Sequence, residues 1–148
     1  MSCRSLFIVF AALLALGGCN KIDPNSPLGQ RQAIFKQMLK TSEDLGGMLR
    51  GRLKFEGDGF ASGAAHLDEL SHQPWKHFPA VKEEHSNARD EVWQRQERFN
   101  ELARDLEAST AALVSASSAR PLAPEAVAAP LQKVEDACEA CHKEFRDY

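Results

Sequence analysis

From Leu28 to Phe145 apolar residues return every three or four positions, and no stretch shows convincing alternation. That period puts apolar side chains on one stripe of an α-helix, whereas a strand would scatter them over both faces. Four stripes can be traced. The first covers Leu28 to about Leu53, through Ile34, Phe35, Met38, Leu39, Leu45, Met48, Leu49 and Leu53, and Gly46, Gly47 and Gly51 weaken its end. Ser26 is placed to cap it and Pro27 to occupy its first turn. Gly57 and Gly59 interrupt the chain before a shorter second helix, about Phe60 to His72, with Phe60, Ala64, Leu67 and Leu70 on one side. The third and longest is expected from about Ser86 to Ser117, along Ala88, Val92, Phe99, Leu102, Leu106 and Leu113. The fourth begins at Pro124 or Pro130 and ends near Arg146, with a stripe of Val127, Leu131, Val134, Cys138, Cys141 and Phe145. Pro130 is either its first-turn residue or a kink, because proline removes a backbone donor. Pro74 and Pro79 bound a loop whose Trp75 and Phe78 should pack as a flap over something apolar. The expected fold is all-α, an antiparallel four-helix bundle over residues 28–148.

The segment before the bundle reads as an export signal. Arg4 supplies a positive start, and Leu6 to Leu16 form an unbroken apolar run of 11 residues, too short for a relaxed membrane span. Leu16-Gly17-Gly18-Cys19 follows and resembles the lipobox of bacterial lipoproteins, in which the cysteine receives lipid. This assigns 1–18 to a signal peptide, Cys19 to a lipid anchor and 19–27 to a tether. The alternative is a plain signal peptide cut nearby, with Cys19 incidental. Several acyl chains on one cysteine hold a protein stably on a bilayer. Asn20 is not the aspartate that often retains such proteins at the inner membrane, so the expected place is the periplasmic face of the outer membrane. The formal net charge of −3 and the mixing of both signs leave no basic field for nucleic acid.

Cysteine usage then narrows the chemistry. Cys3 falls in the removed peptide and Cys19 is claimed by lipid, which leaves Cys138 and Cys141 for the domain. A disulfide between them would close a trivial loop and stabilise little. Cys138-Glu139-Ala140-Cys141-His142 is the attachment pattern of a c-type heme. Two thiols add across the two vinyl groups of the porphyrin, and the adjacent histidine then lies where its imidazole can bind iron. The expected cofactor is therefore covalent heme c, with His142 as the metal ligand. A zinc site would need two further ligands at similar spacing, and His66, His72, His77 and His85 offer no such pair. A thioredoxin-like pair should follow a strand and open a helix, whereas this one lies near the end of a helix.

A motif on the last helix of a bundle, rather than near the start of a mixed fold, resembles the cytochrome c′ family, which includes low-spin relatives such as cytochrome c-556. Three segments carry the resemblance: Arg31-Gln32-Ala33-Ile34-Phe35; Trp75-Lys76-His77-Phe78-Pro79 with Ala88-Arg89-Asp90-Glu91-Val92-Trp93; and Cys138 through Arg146. Together they span nearly all of the exported chain. The resemblance implies that the residue four after Arg31, here Phe35, faces the iron opposite His142. Family members with an apolar residue there are five-coordinate and high-spin and bind nitric oxide or carbon monoxide. Members with methionine there are low-spin and resemble electron carriers. Phenylalanine has no lone pair to give. Met38, three residues on and on the same side, either packs the core or reaches the iron after a small change of register. The resemblance also implies a propionate partner in Arg31, a flanking position beside the imidazole for Arg146, and heme walls in Phe78 and Trp93. Its expected partners are a diatomic gas or a redox protein, and a second copy of the chain in a homodimer through the first two helices. No activated nucleophile or paired carboxylates point to an enzyme.

Overall fold

The computed structural model describes residues 22–148, so the signal peptide and the Cys19 anchor lie outside the described residues. Helix α1 runs Pro27–Leu49, α2 Gly57–Ser71, α3 Glu91–Gln94, α4 Gln96–Ala116 and α5 Pro124–Phe145. The four long helices form the antiparallel bundle, and among the described residues the only β pairing is one bridge between Ala88 and Arg146.

The start of α1 is built as its sequence predicts. The Ser26 hydroxyl accepts from the Gly29 amide at 3.0 Å, and Pro27 fills the first helical position. Its end comes at Leu49, earlier than the apolar stripe implies. There the Gly51 amide donates to the Met48 carbonyl and the Arg52 amide to the Gly47 carbonyl. This double closure needs a left-handed residue, and Gly51 takes it with φ 73°. Helix α2 starts at Gly57, ahead of the expected Phe60, and buries Phe60, Ala64, Leu67 and Leu70 as its stripe requires.

The third stripe departs most from expectation. Residues 86–89, expected as the first turn of a long helix, are not helical. The Arg89 amide donates to the Phe145 carbonyl at 2.9 Å, and the Asp147 amide to the Asn87 carbonyl at 2.8 Å. These bonds tie the segment in extended form to the end of α5, so its backbone groups are satisfied outside a helix. The helix starts only at Glu91 and breaks at Arg95, where φ is −125° and ψ 48°. Pro130 lies inside α5, which starts at Pro124.

Packing proceeds around the bundle from α1 to α2, α2 to α4 and α4 to α5, whereas α1 meets α5 more sparsely. Leu45, Phe60, Leu67, Leu113, Val127, Leu131 and Val134 fill the main core. Thr110 interrupts the α4 stripe without loss: its buried hydroxyl lies 2.7 Å from the Asp68 carboxylate and 3.1 Å from that of Ser71. A second cluster of Val92, Phe99, Leu102 and Phe145 sits where α3, α4 and the end of α5 meet, with Trp75, Phe78 and Trp93 against it. The looser α1–α5 side, next to that cluster, leaves room for a site.

Candidate functional site

On α5, Cys138, Cys141 and His142 stand at positions i, i+3 and i+4 and therefore share one face. All three line a cavity of about 620 Å³ between α1, α5 and the loop after α2. Burial, helped by Glu135 beside Cys138 and by Cys138 and Glu144 around Cys141, pushes both thiols up to about 11. Such thiols stay protonated at neutral pH. His142 is shifted the other way. Burial, with a smaller push from the Arg146 charge, holds its imidazole below the usual value and therefore neutral. Neither ring nitrogen has a hydrogen-bond partner among the described residues, and a neutral imidazole is the form that ligates a metal.

The cavity fits a heme. Its volume lies within the roughly 300–1,000 Å³ of cofactor pockets. Phe35, Met38, Leu67, Phe78, Phe99 and Leu106 supply much of its wall. Two thiols and one unpartnered imidazole enter it from a single helix. No group of three or more His, Cys, Asp or Glu able to hold a bare metal ion converges among the described residues.

Phe35 on α1 meets His142 edge-on, with ring centroids 6.4 Å apart and planes at 73°. Its other neighbour is Trp75, edge-on at 6.1 Å. Met38 borders the same cavity but is only 5% exposed and belongs to the main core with Leu45 and Phe60. Phe78 also lines it and stacks edge-on with Phe99 at 4.9 Å.

Arg31 sits at the rim, almost wholly buried, and is hydrogen-bonded to the loop. One terminal nitrogen donates to the His77 carbonyl at 2.8 Å and to Glu83 Oε1 at 2.7 Å. The second donates to Glu83 Oε2 at 3.0 Å and to the Ser86 hydroxyl at 2.9 Å. Its guanidinium also lies over the Phe78 ring at 4.5 Å. The four hydrogen bonds tie α1 to the loop, and the two to Glu83 hold its carboxyl below the usual carboxylate range. Arg146 lines the rim next to His142, exposed, with its guanidinium over Tyr148.

Trp93, expected as a heme wall, does not line the cavity. Its indole nitrogen donates to the Pro79 carbonyl at 2.7 Å and its ring packs on the α3–α4–α5 cluster, pinning the loop from behind. The tryptophan that lines the cavity is Trp75, read in the sequence only as part of a flap. Its place between two prolines, three residues before Phe78, was the available signal. Nothing local in the sequence marked Glu83 or Ser86 as partners of Arg31.

The family model described as Cytochrome C' matches residues 26–146. A cytochrome c′ of Rhodopseudomonas palustris (strain ATCC BAA-98 / CGA009) is 27% identical over 138 residues, 92% of each chain. Among solved structures, cytochrome c prime from Shewanella frigidimarina superposes with a TM-score of 0.79 at 23% identity, covering 87% of this chain and 100% of that one. Cytochrome c′ from Rubrivivax gelatinosus gives 0.74 at 23% identity, covering 83% and 98%. A variant of cytochrome c prime from Alcaligenes xylosoxidans, solved as its nitric oxide complex, gives 0.75 at 20% identity, covering 84% and 98%.

Proposed function

The chain belongs to the cytochrome c′ family, whose members carry covalently attached heme c, and from that premise we propose that it binds diatomic gases such as nitric oxide at a five-coordinate, high-spin iron. Cys138 and Cys141 would hold the heme through thioethers and His142 would be the single protein ligand to its iron. A heme iron held by one imidazole would supply a binding place for a small gas molecule. The observation that carries the reading is the Phe35 ring opposite His142, a side chain with no donor atom to close that position. The nitric oxide and carbon monoxide complexes of the Alcaligenes xylosoxidans variants support the same ligand class. Phe35 crowds the position, so small ligands are favoured over large ones. The reading is of a binding protein rather than an enzyme, exported to the periplasm and held on the outer membrane through lipid on Cys19.

A second reading, a low-spin electron carrier with the Met38 thioether as sixth ligand, is favoured by one observation: Met38 borders the cavity one turn from Phe35. Its near-complete burial in the core counts against it.

The optical spectrum of the purified ferrous protein separates the two. A high-spin spectrum, nitric oxide binding without loss of a sulfur ligand, and little change in Met38→Leu are expected, because that exchange conserves volume. Phe35→Ala should speed ligand access. A low-spin spectrum that Met38→Leu converts to high-spin would transfer the assignment to the electron carrier.

A further inference from the structure

Phe35 does not hold its place alone. Its ring packs against two others, His142 at 6.4 Å and Trp75 at 6.1 Å. A ligand larger than a diatomic needs Phe35 to move, and Trp75 is the second ring packed against it. Trp75 is itself fixed from three directions. It is the second residue of a 3-10 turn, Pro74–His77, whose first residue is buried. Its ring meets Phe99 of α4 edge-on at 5.8 Å. Its indole N–H donates to Glu107 Oε1, also of α4, at 2.8 Å. That same oxygen lies 3.4 Å from His72 Nδ1 at the end of α2, so the acceptor is positioned as well.

We infer that Trp75, clamped by Glu107, is a positioning residue that backs Phe35 and sets the largest ligand the site accepts. The inference rests on the reading of Phe35 as the residue facing the iron. An indole bonded to a carboxylate resists displacement more than a ring held by contact alone, because moving it breaks a charge-assisted hydrogen bond. Shape without that bond would hold Phe35 less firmly. Small ligands, which do not push Phe35, should be indifferent to the clamp.

A ladder of ligand sizes tests this in the heme-loaded protein: carbon monoxide, methyl isocyanide and tert-butyl isocyanide binding to the ferrous form. Glu107→Leu removes the acceptor, Glu107→Gln keeps a carbonyl in its place, and Trp75→Phe keeps a ring without the donor. Glu107→Leu and Trp75→Phe should favour tert-butyl isocyanide over carbon monoxide by roughly fivefold relative to wild type, the worth of one net hydrogen bond. Glu107→Gln should return most of the wild-type ratio. The ultraviolet resonance Raman band of the indole N–H should report the weakened bond in Glu107→Leu and its recovery in Glu107→Gln. Phe35→Ala serves as reference. If Phe35→Ala steepens acceptance of the large ligand while Glu107→Leu and Trp75→Phe leave the ratio unchanged, the clamp is overturned and the Phe35 reading stands. If Phe35→Ala also changes nothing, both fall together. A uniform change for all three ligands would likewise overturn the clamp, since loosening of the whole bundle has that signature.

Discussion

At single positions, the side chains around the cavity show how one group acquires different roles from its surroundings. Cys138 and Cys141 are partly buried thiols, and desolvation pushes both up to about 11, so in the folded chain they are protonated at neutral pH. Arg31 is held by four hydrogen bonds, two of them to Glu83, and its side chain is 4% exposed against 23% for Glu83. Removing one partner from such a pair leaves a buried charge poorly compensated. Glu83→Gln should therefore cost about 1–3 kcal/mol at pH 7, read by urea unfolding of the heme-loaded protein. The pH dependence has a definite sign. The hydrogen bonds from Arg31 lower the Glu83 value in the folded state, so its stabilisation is complete above the ordinary value of 4.5 and is lost as pH falls through the folded value. Glu83→Gln should flatten that acid arm. An acid arm as steep as the wild type's would mean that other carboxylates carry it, Glu144 among them, since Arg98 and Arg95 lower its value too.

Among the helices, α5 carries the attachment motif and contains an evident local cost. Pro130 stands seven residues into Pro124–Phe145 and can donate no backbone hydrogen bond. The helix persists because Val127, Leu131 and Val134 are fully or almost fully buried, and their packing outweighs the missing bond. Pro130→Ala should raise stability by about 1–2 kcal/mol, less than the roughly 3 kcal/mol difference in helix propensity, because proline also restricts the unfolded chain. Thermal unfolding of the heme-loaded protein checks it, and a lowered midpoint would show that the proline fits a bend the bundle needs. The split between α3 and α4 has a different origin. Residues 87–89 pair with the end of α5, and the Arg89 side chain donates to the Lys143 carbonyl at 3.1 Å and to Asp147 at 3.0 Å. Arg95 and Arg98 both reach Glu144 at 2.9 Å. The end of α5, where His142 sits, is thereby held on both sides.

For the molecule as a whole, three close helix contacts and one sparse one leave an apolar cavity on the α1–α5 side, and every proposed heme contact except Trp93 lines it. None of the described helices is long and apolar enough to cross a membrane; the proposed membrane attachment is through lipid on Cys19. The wild-type protein should fractionate with membranes and partition into detergent, while Cys19→Ser should be released or remain unprocessed. Wild-type protein recovered in the soluble fraction with an unmodified amino terminus would remove the anchor from the proposal.

Helices, their buried stripes and the attachment motif were legible in the chain because each depends on residues within a turn or two of one another. The 3.6-residue period placed Phe60, Leu67, Val127 and Leu131 inside before any contact was known, and Cys138, Cys141 and His142 share a face by spacing alone. Pairings between distant segments were not legible. Trp75 and Trp93 are alike in local sequence value, and which one reaches the cavity depends on how the loop crosses the bundle. Glu83 finds Arg31 from 52 positions away, and Glu107 finds Trp75 from 32. The first turn expected at Ser86 is lost because its backbone groups have better partners at the far end of the chain. Local periodicity cannot register a competitor that only packing brings within hydrogen-bond reach.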